Sequence, residues 1–174
     1  MILSGGFAAD AQTRRAATPI KTAVDVCPDP KKPCRHREKN FDEWELSFHL
    51  PAKIKPNATY KSAAFYAVIL KKYDEGCEEF DSNFAIEPER LRVQKLLPTR
   101  KVFADYSCPN MDAVGYDFAG KTDKSGERVL YMDYIAVYAG KNLDEANQLL
   151  AGLRGKFPKA EVKKMIASWE RLEQ

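Results

Sequence analysis

The stretch YIAVYAGKNLDEANQLLAGLRGKFPKAEV, residues 134–162, constrains the fold more than any other part of the chain. It opens on an apolar run broken by Gly140, the profile of a strand in the middle of a sheet. Asn142 with Glu145 three residues later has the spacing of a capping box, with Asn in the place of Ser or Thr. Leu143, Ala146, Leu149, Leu150 and Leu153 then fall on one helical face, and Gly155 ends the helix. Residues 159–164 return as an edge strand. Such a bare strand–helix–strand unit holds no catalytic motif, and it needs further strands to complete a sheet.

An earlier segment supplies them. FYAVIL (65–70) matches YIAVYA (134–139) position for position in character, with Ala67 and Ala136 each in third place. KLLPTRKV (95–102) matches GKFPKAEV (155–162): a bulky apolar residue, proline, three residues, then a strand valine. Strand, helix, proline and strand therefore occur twice, with a longer loop in the first copy. A β-α-β-β-α-β chain builds a four-stranded antiparallel sheet with both helices on one face. The expected fold is α+β and ferredoxin-like, with an added N-terminal strand. Strands are expected at 43–50, 65–70, 101–107, 129–139 and 159–164, and helices at 88–97 and 142–154. Pro88 is read as a first-turn proline and Pro98 as the stop. Residues 51–64 read as a loop, 114–131 as a hairpin arm turning at KTDKSGE, and 166–174 as a terminal helix. Residues 1–40 form an irregular arm and 41–174 a single domain.

The run YIAVYAGKNLDEANQLLAGLRGKF resembles the SPOR (sporulation-related repeat) domain in its order of strand, glycine, polar turn, Ala-containing amphipathic helix and following strand. The resemblance covers roughly residues 65–165 and is most specific in the second copy. It implies a β-α-β-β-α-β module of a cell-envelope protein that binds peptidoglycan glycan strands. The chain departs from the family in lacking the Gln-x-Gly-x-Phe strand pattern, in its long loop after Leu70, and in the cysteines that flank the first copy.

The ends and the cysteines point to the same compartment. Residues 8–12, AADAQ, place small side chains at alternate positions, as at the end of an export signal. The basic region and most of the apolar region of such a signal are missing, and a plain N-terminal arm is the other reading. Either way about 20 residues stand apart from the fold. Cys27, Cys34, Cys77 and Cys108 make an even set, which in an exported chain favours two disulfides. Cys27 and Cys34 bracket PDPKKP, so the expected pairs are Cys27–Cys34 and Cys77–Cys108. A zinc alternative would use Cys27, Cys34 and His36, with His49 as fourth ligand, but it lacks a CxxC. The expected location is periplasmic or secreted.

Chemistry is scarce. A net charge of +3, evenly spread, does not argue for nucleic acid, and no run of 18 apolar residues suggests a membrane span. His36 and His49 are the only histidines and neither sits in a motif; there is no P-loop and no GxGxxG. The carboxylates of DEGCEEFD (74–81) and the cations of RHREK (35–39) read as solvated faces. No enzyme, cofactor or metal is expected. The site expectation rests on strand period: Phe65, Ala67 and Ile69 share one sheet face with Tyr134, Ala136 and Tyr138. Phe65, Ala67, Tyr134, Ala136 and Tyr138 would make a shallow groove with an alanine floor and aromatic walls, suited to a sugar chain. Its partner would be peptidoglycan or another envelope polymer, or else a periplasmic protein. A face covered by residues 41–60 would favour the protein-interaction reading.

Overall fold

The computed structural model describes residues 18–19, 23–27, 40–73, 82–105, 114–118 and 133–170. Along the chain lie strands β1 (Thr18–Pro19), β2 (Ala58–Lys61) and β3 (Phe65–Tyr73), then helix α1 (Ser82–Leu96). Strands β4 (Val102–Asp105), β5 (Val114–Phe118) and β6 (Asp133–Gly140) follow, then helix α2 (Leu143–Leu153) and strand β7 (Glu161–Glu170). The fold is α+β. Six strands pair antiparallel in one sheet, and β1 joins β2 in parallel. The order is β1-β2-β7-β3-β6-β4, with β5 along the other edge of β7. The sheet curls, so that Phe103 of β4 meets Tyr116 of β5 with ring centroids 4.9 Å apart.

The repeat is written into the register. Val68 pairs with Val137 at the centre of the sheet, Val102 pairs with Val137, and Val162 pairs with Val68. These valines are the ones that the sequence alignment equates, Val68 with Val137 and Val102 with Val162. Further pairs follow the same exchange. Ile69 with Ala136 answers Tyr138 with Ala67; Phe103 with Ala136 answers Lys163 with Ala67; Asp105 with Tyr134 answers Met165 with Phe65. The copies are thus related by an approximate twofold that passes between Val68 and Val137. A row of β-branched side chains across four strands is also what a pleated, buried surface packs best.

Both helices lie on that valine face. Ile86 and Val93 of α1 and Ala146, Leu150 and Leu153 of α2 share a cluster with Val68, Leu70, Val102, Ile135 and Val137. Helix α2 starts as its sequence requires. Gly140 has φ 101°, where a side chain would be strained, and Asn142 caps the helix by accepting from the Asp144 N–H at 2.8 Å. A cap of this kind contributes about 1 kcal/mol. Leu143 of the expected apolar stripe is exposed, because it lies in the first turn beyond the edge of the cluster.

Helix α1 begins at Ser82, earlier than expected, which puts Pro88 inside it. Its exit turn is held by side chains. Gln94 donates to the carbonyls of Leu97 and Arg100 and accepts from the Val102 N–H at 2.8 Å. Buried Arg90 pairs with Glu87 and donates to the Val102 carbonyl at 3.2 Å.

Three further expectations are corrected. Residues 43–50 form no strand of the sheet: Glu43–Glu45 turn, and among the described residues the one bridge of the segment joins Phe48 to Val26. Residues 58–61, read as loop, form β2, after Asn57 turns the chain with φ 52°. Residues 166–170, read as a terminal helix, continue β7, because Ala167 and Trp169 pair with β5 and β2. Parts of the arm also belong to the sheet: β1 lies on β2, and Val24 bridges Ser62. The acidic run 74–81, the basic cluster 35–39 and the turn of the hairpin arm, 121–127, lie outside the described residues, as do residues 1–17.

Candidate functional site

Strand period places Phe65, Ala67, Tyr134, Ala136 and Tyr138 together on one sheet face, as expected. Their exposure is corrected. Tyr138 is 7% exposed and Phe65, Ala67 and Ala136 are fully enclosed, with Tyr134 nearly so. The rings pack on one another: Phe65 lies 5.7 Å from Tyr138 and 6.5 Å from Phe103, and Tyr134 lies 6.0 Å from Phe118. The face is a second core, not a groove. Val26, Leu46, Phe48, Leu50, Ala58 and Tyr60 complete it.

The cover is the segment 40–50 together with β2. It spans the gap that the curled sheet leaves between β4 and β5. On the β4 side, the Ala104 N–H donates to the Trp44 carbonyl at 2.9 Å, and the half-buried Lys101 donates through Nζ to the Glu43 carbonyl. On the β5 side, the Tyr116 hydroxyl accepts from the Leu46 N–H at 2.6 Å. At the start of the segment, Trp169 Nε1 donates to the Asn40 carbonyl at 3.0 Å, and Phe41 packs on Trp169 and Phe48. Residues 23–27 brace the outside: Cys27 N–H donates to the Ser47 carbonyl and His49 N–H to the Asp25 carbonyl. Leu46, Phe48 and Leu50 point onto the aromatic face, whereas Trp44 packs into the helix-side cluster.

Glu45 sits at the middle of the cover and is 4% exposed. Its Oε1 accepts from the Val114 N–H at 2.7 Å and its Oε2 from the Asp42 N–H at 2.8 Å. The carboxylate thereby supplies acceptors where β5 meets the cover. Burial pushes its carboxyl up to about 7, against the pull of those N–H groups. Burial likewise draws the Lys101 ammonium down to about 8. The alternation of EWELSFHL assigns Glu45 to solvent, and no signal in the sequence marks it as enclosed.

Replacing Tyr116 by Phe tests the cover's attachment. The Leu46 N–H then has no acceptor in a buried position, which costs about 1–3 kcal/mol. Chemical denaturation of Tyr116→Phe is expected to show that loss. Wild-type stability would mean that the hydroxyl does not anchor the segment.

Cys27 is disulfide-bonded, with its partner outside the described residues, as are Cys34, Cys77 and Cys108. His49 Nδ1 lies 3.5 Å from Cys27 Sγ. That places the fourth ligand of the zinc alternative beside the first, but a disulfide sulfur is no thiolate ligand. Among the described residues no group of three or more His, Cys, Asp or Glu could hold a metal, and no helix is long and apolar enough to cross a membrane. No family model matches the chain, and neither a curated protein nor a solved structure matches it.

Proposed function

We propose that this chain is an exported, non-enzymatic module of the cell envelope that acts as a protein-interaction subunit or adaptor of a periplasmic complex. The strand order β7-β3-β6-β4 with both helices on one face supports a ferredoxin-like core of the SPOR kind. The observation that carries the functional reading is the cover over the aromatic face. Peptidoglycan glycan strands, the ligand that the SPOR resemblance implies, would need Phe65, Tyr134 and Tyr138 within reach, and all are buried. Among the described residues the exposed large apolar side chains are instead Leu91, Leu96 and Leu143 of the helices, 42–46% exposed. They offer a partner protein contacts that a sugar chain does not use.

The disulfide scheme Cys27–Cys34 and Cys77–Cys108 belongs to the same proposal, since it needs an oxidising compartment. Non-reducing peptide mapping that joins Cys27 to Cys77 or Cys108 would contradict it. Co-sedimentation with purified peptidoglycan sacculi tests the functional reading. The folded protein is expected to stay in the supernatant at every sacculus concentration. Saturable pelleting of the folded protein would overturn the proposal and restore the glycan reading.

A further inference from the structure

The twofold that relates Val68 to Val137 also aligns the inner sides of the helices at one constant offset: Ile86 with Ala146, Arg90 with Leu150, Val93 with Leu153, Leu97 with Phe157 and Val102 with Val162. Strands β4 and β7 are thus counterparts, each paired on one side with a central strand. The other edge of β4 is satisfied. The Val102 N–H donates to Gln94 Oε1 at 2.8 Å, the Val102 carbonyl accepts from Arg90 at 3.2 Å, and the Ala104 N–H donates to the Trp44 carbonyl at 2.9 Å. The counterparts on β7 are the N–H and C=O of Val162 and the N–H of Lys164, which the twofold points the same way. Leu150 stands where Arg90 would reach the carbonyl. Arg154 stands where Gln94 would take the N–H, and a guanidinium has no acceptor. Strand β5 runs along that edge only from Trp169 to Met165. Among the described residues no strand and no side chain answers β7 at 162–164 on that side.

The charge around this edge is one-sided. Residues 154–164 hold Arg154, Lys156, Lys159, Lys163 and Lys164 against Glu161 alone, so the net charge of +3 is concentrated here rather than evenly spread. Glu161 is held by Lys72 and Lys163. Arg154, Lys156, Lys159 and Lys164 are exposed, and among the described residues they make no ion pair. Lys163 lies on the aromatic side, 5.9 Å from the Phe118 ring, and Lys164 lies on the helix side with Val162, so a cation flanks the edge on each face.

We propose that the β7 edge at 162–164 is a docking site for an extended acidic segment of a partner protein, which adds to the sheet as a strand in line with β5 and sets its carboxylates against Lys163, Lys164 and the cations of the turn before β7. Edge lysines bar a second copy of this chain, since like charges would face each other, and admit a strand of opposite charge. Main-chain bonds to Val162 and Lys164 attach the strand, and the cations select it. The proposal rests on the protein-interaction reading, which the sacculus experiment tests separately.

A short peptide of alternating Glu and Val, titrated into the nitrogen-15-labelled full chain at low salt, tests the edge. Saturable amide shifts are expected at 162–164. Protection from hydrogen exchange is expected to rise at Val162 and Lys164 and not at Lys163, whose N–H already faces β3. The same peptide N-methylated along its bonding edge is expected to bind far more weakly, as is a Lys–Val counterpart. Lys164→Glu is expected to weaken the Glu–Val peptide about five-fold. Absence of saturable shifts at 162–164 would overturn the proposal, and so would equal binding of the N-methylated or the Lys–Val peptide. Val162 and Lys164 amides as protected as Lys163 in the free protein would also overturn it, because the edge would then already be filled by the chain itself or by a second copy.

Discussion

Trp169→Ala is expected to lower the free energy of unfolding by about 4 kcal/mol, among the largest losses any single substitution can produce in this chain. Trp169 is nearly fully enclosed near the end of β7, where its backbone pairs with Tyr60 of β2 and Val114 of β5. Its ring lies 5.9 Å from Tyr60 and 6.5 Å from Phe41, and its indole N–H holds the Asn40 carbonyl. Alanine leaves a cavity among these rings and removes the anchor at the start of the cover. Urea denaturation followed by circular dichroism checks it. A loss under about 1 kcal/mol would mean that the ring is not enclosed.

Phe65→Ala is expected to cost about as much, roughly 3–5 kcal/mol. Phe65 pairs with Met165 across the sheet and touches Tyr138 and Phe103 within a face closed on the far side by Leu46 and Phe48. The surrounding rings cannot collapse into the space, because the paired strands β3, β6 and β7 hold them apart. On an exposed sugar-binding groove the same substitution would cost little stability and much affinity. The denaturation midpoint therefore separates the two pictures: a large shift marks a core residue, and an unchanged midpoint a groove residue.

The face assignments and the duplication were legible in the sequence, because both depend on local period. Tyr134 to Ala139 alternate between two faces by strand geometry alone, and the pairing of Val68 with Val137 follows once the copies are aligned. The Asn142 cap was legible for the same reason. What covers the aromatic face was not. EWELSFHL has strand alternation, yet it crosses a gap between two sheet edges, so Glu45 becomes enclosed along with Leu46, Phe48 and Leu50. Burial of Glu45 depends on Val114, far along the chain, and no local pattern encodes that. The end of β7 departs from its local preference: IASWERLEQ is rich in good helix formers, and pairing with β5 and β2 overrides that preference. Helix α1 hid its start because its inner face carries Arg90 between Ile86 and Val93, which breaks the apolar stripe.

Hydroxyl-radical footprinting of the native protein tests the central claim, that residues 40–60 enclose the aromatic sheet face. Phe65, Phe103, Tyr134 and Tyr138 are expected to be protected to the level of the buried core, while the half-buried Tyr66 and the exposed Leu91, Leu96 and Leu143 are modified in the same sample. Modification of Tyr138 and Phe65 as fast as Tyr66 would contradict the account.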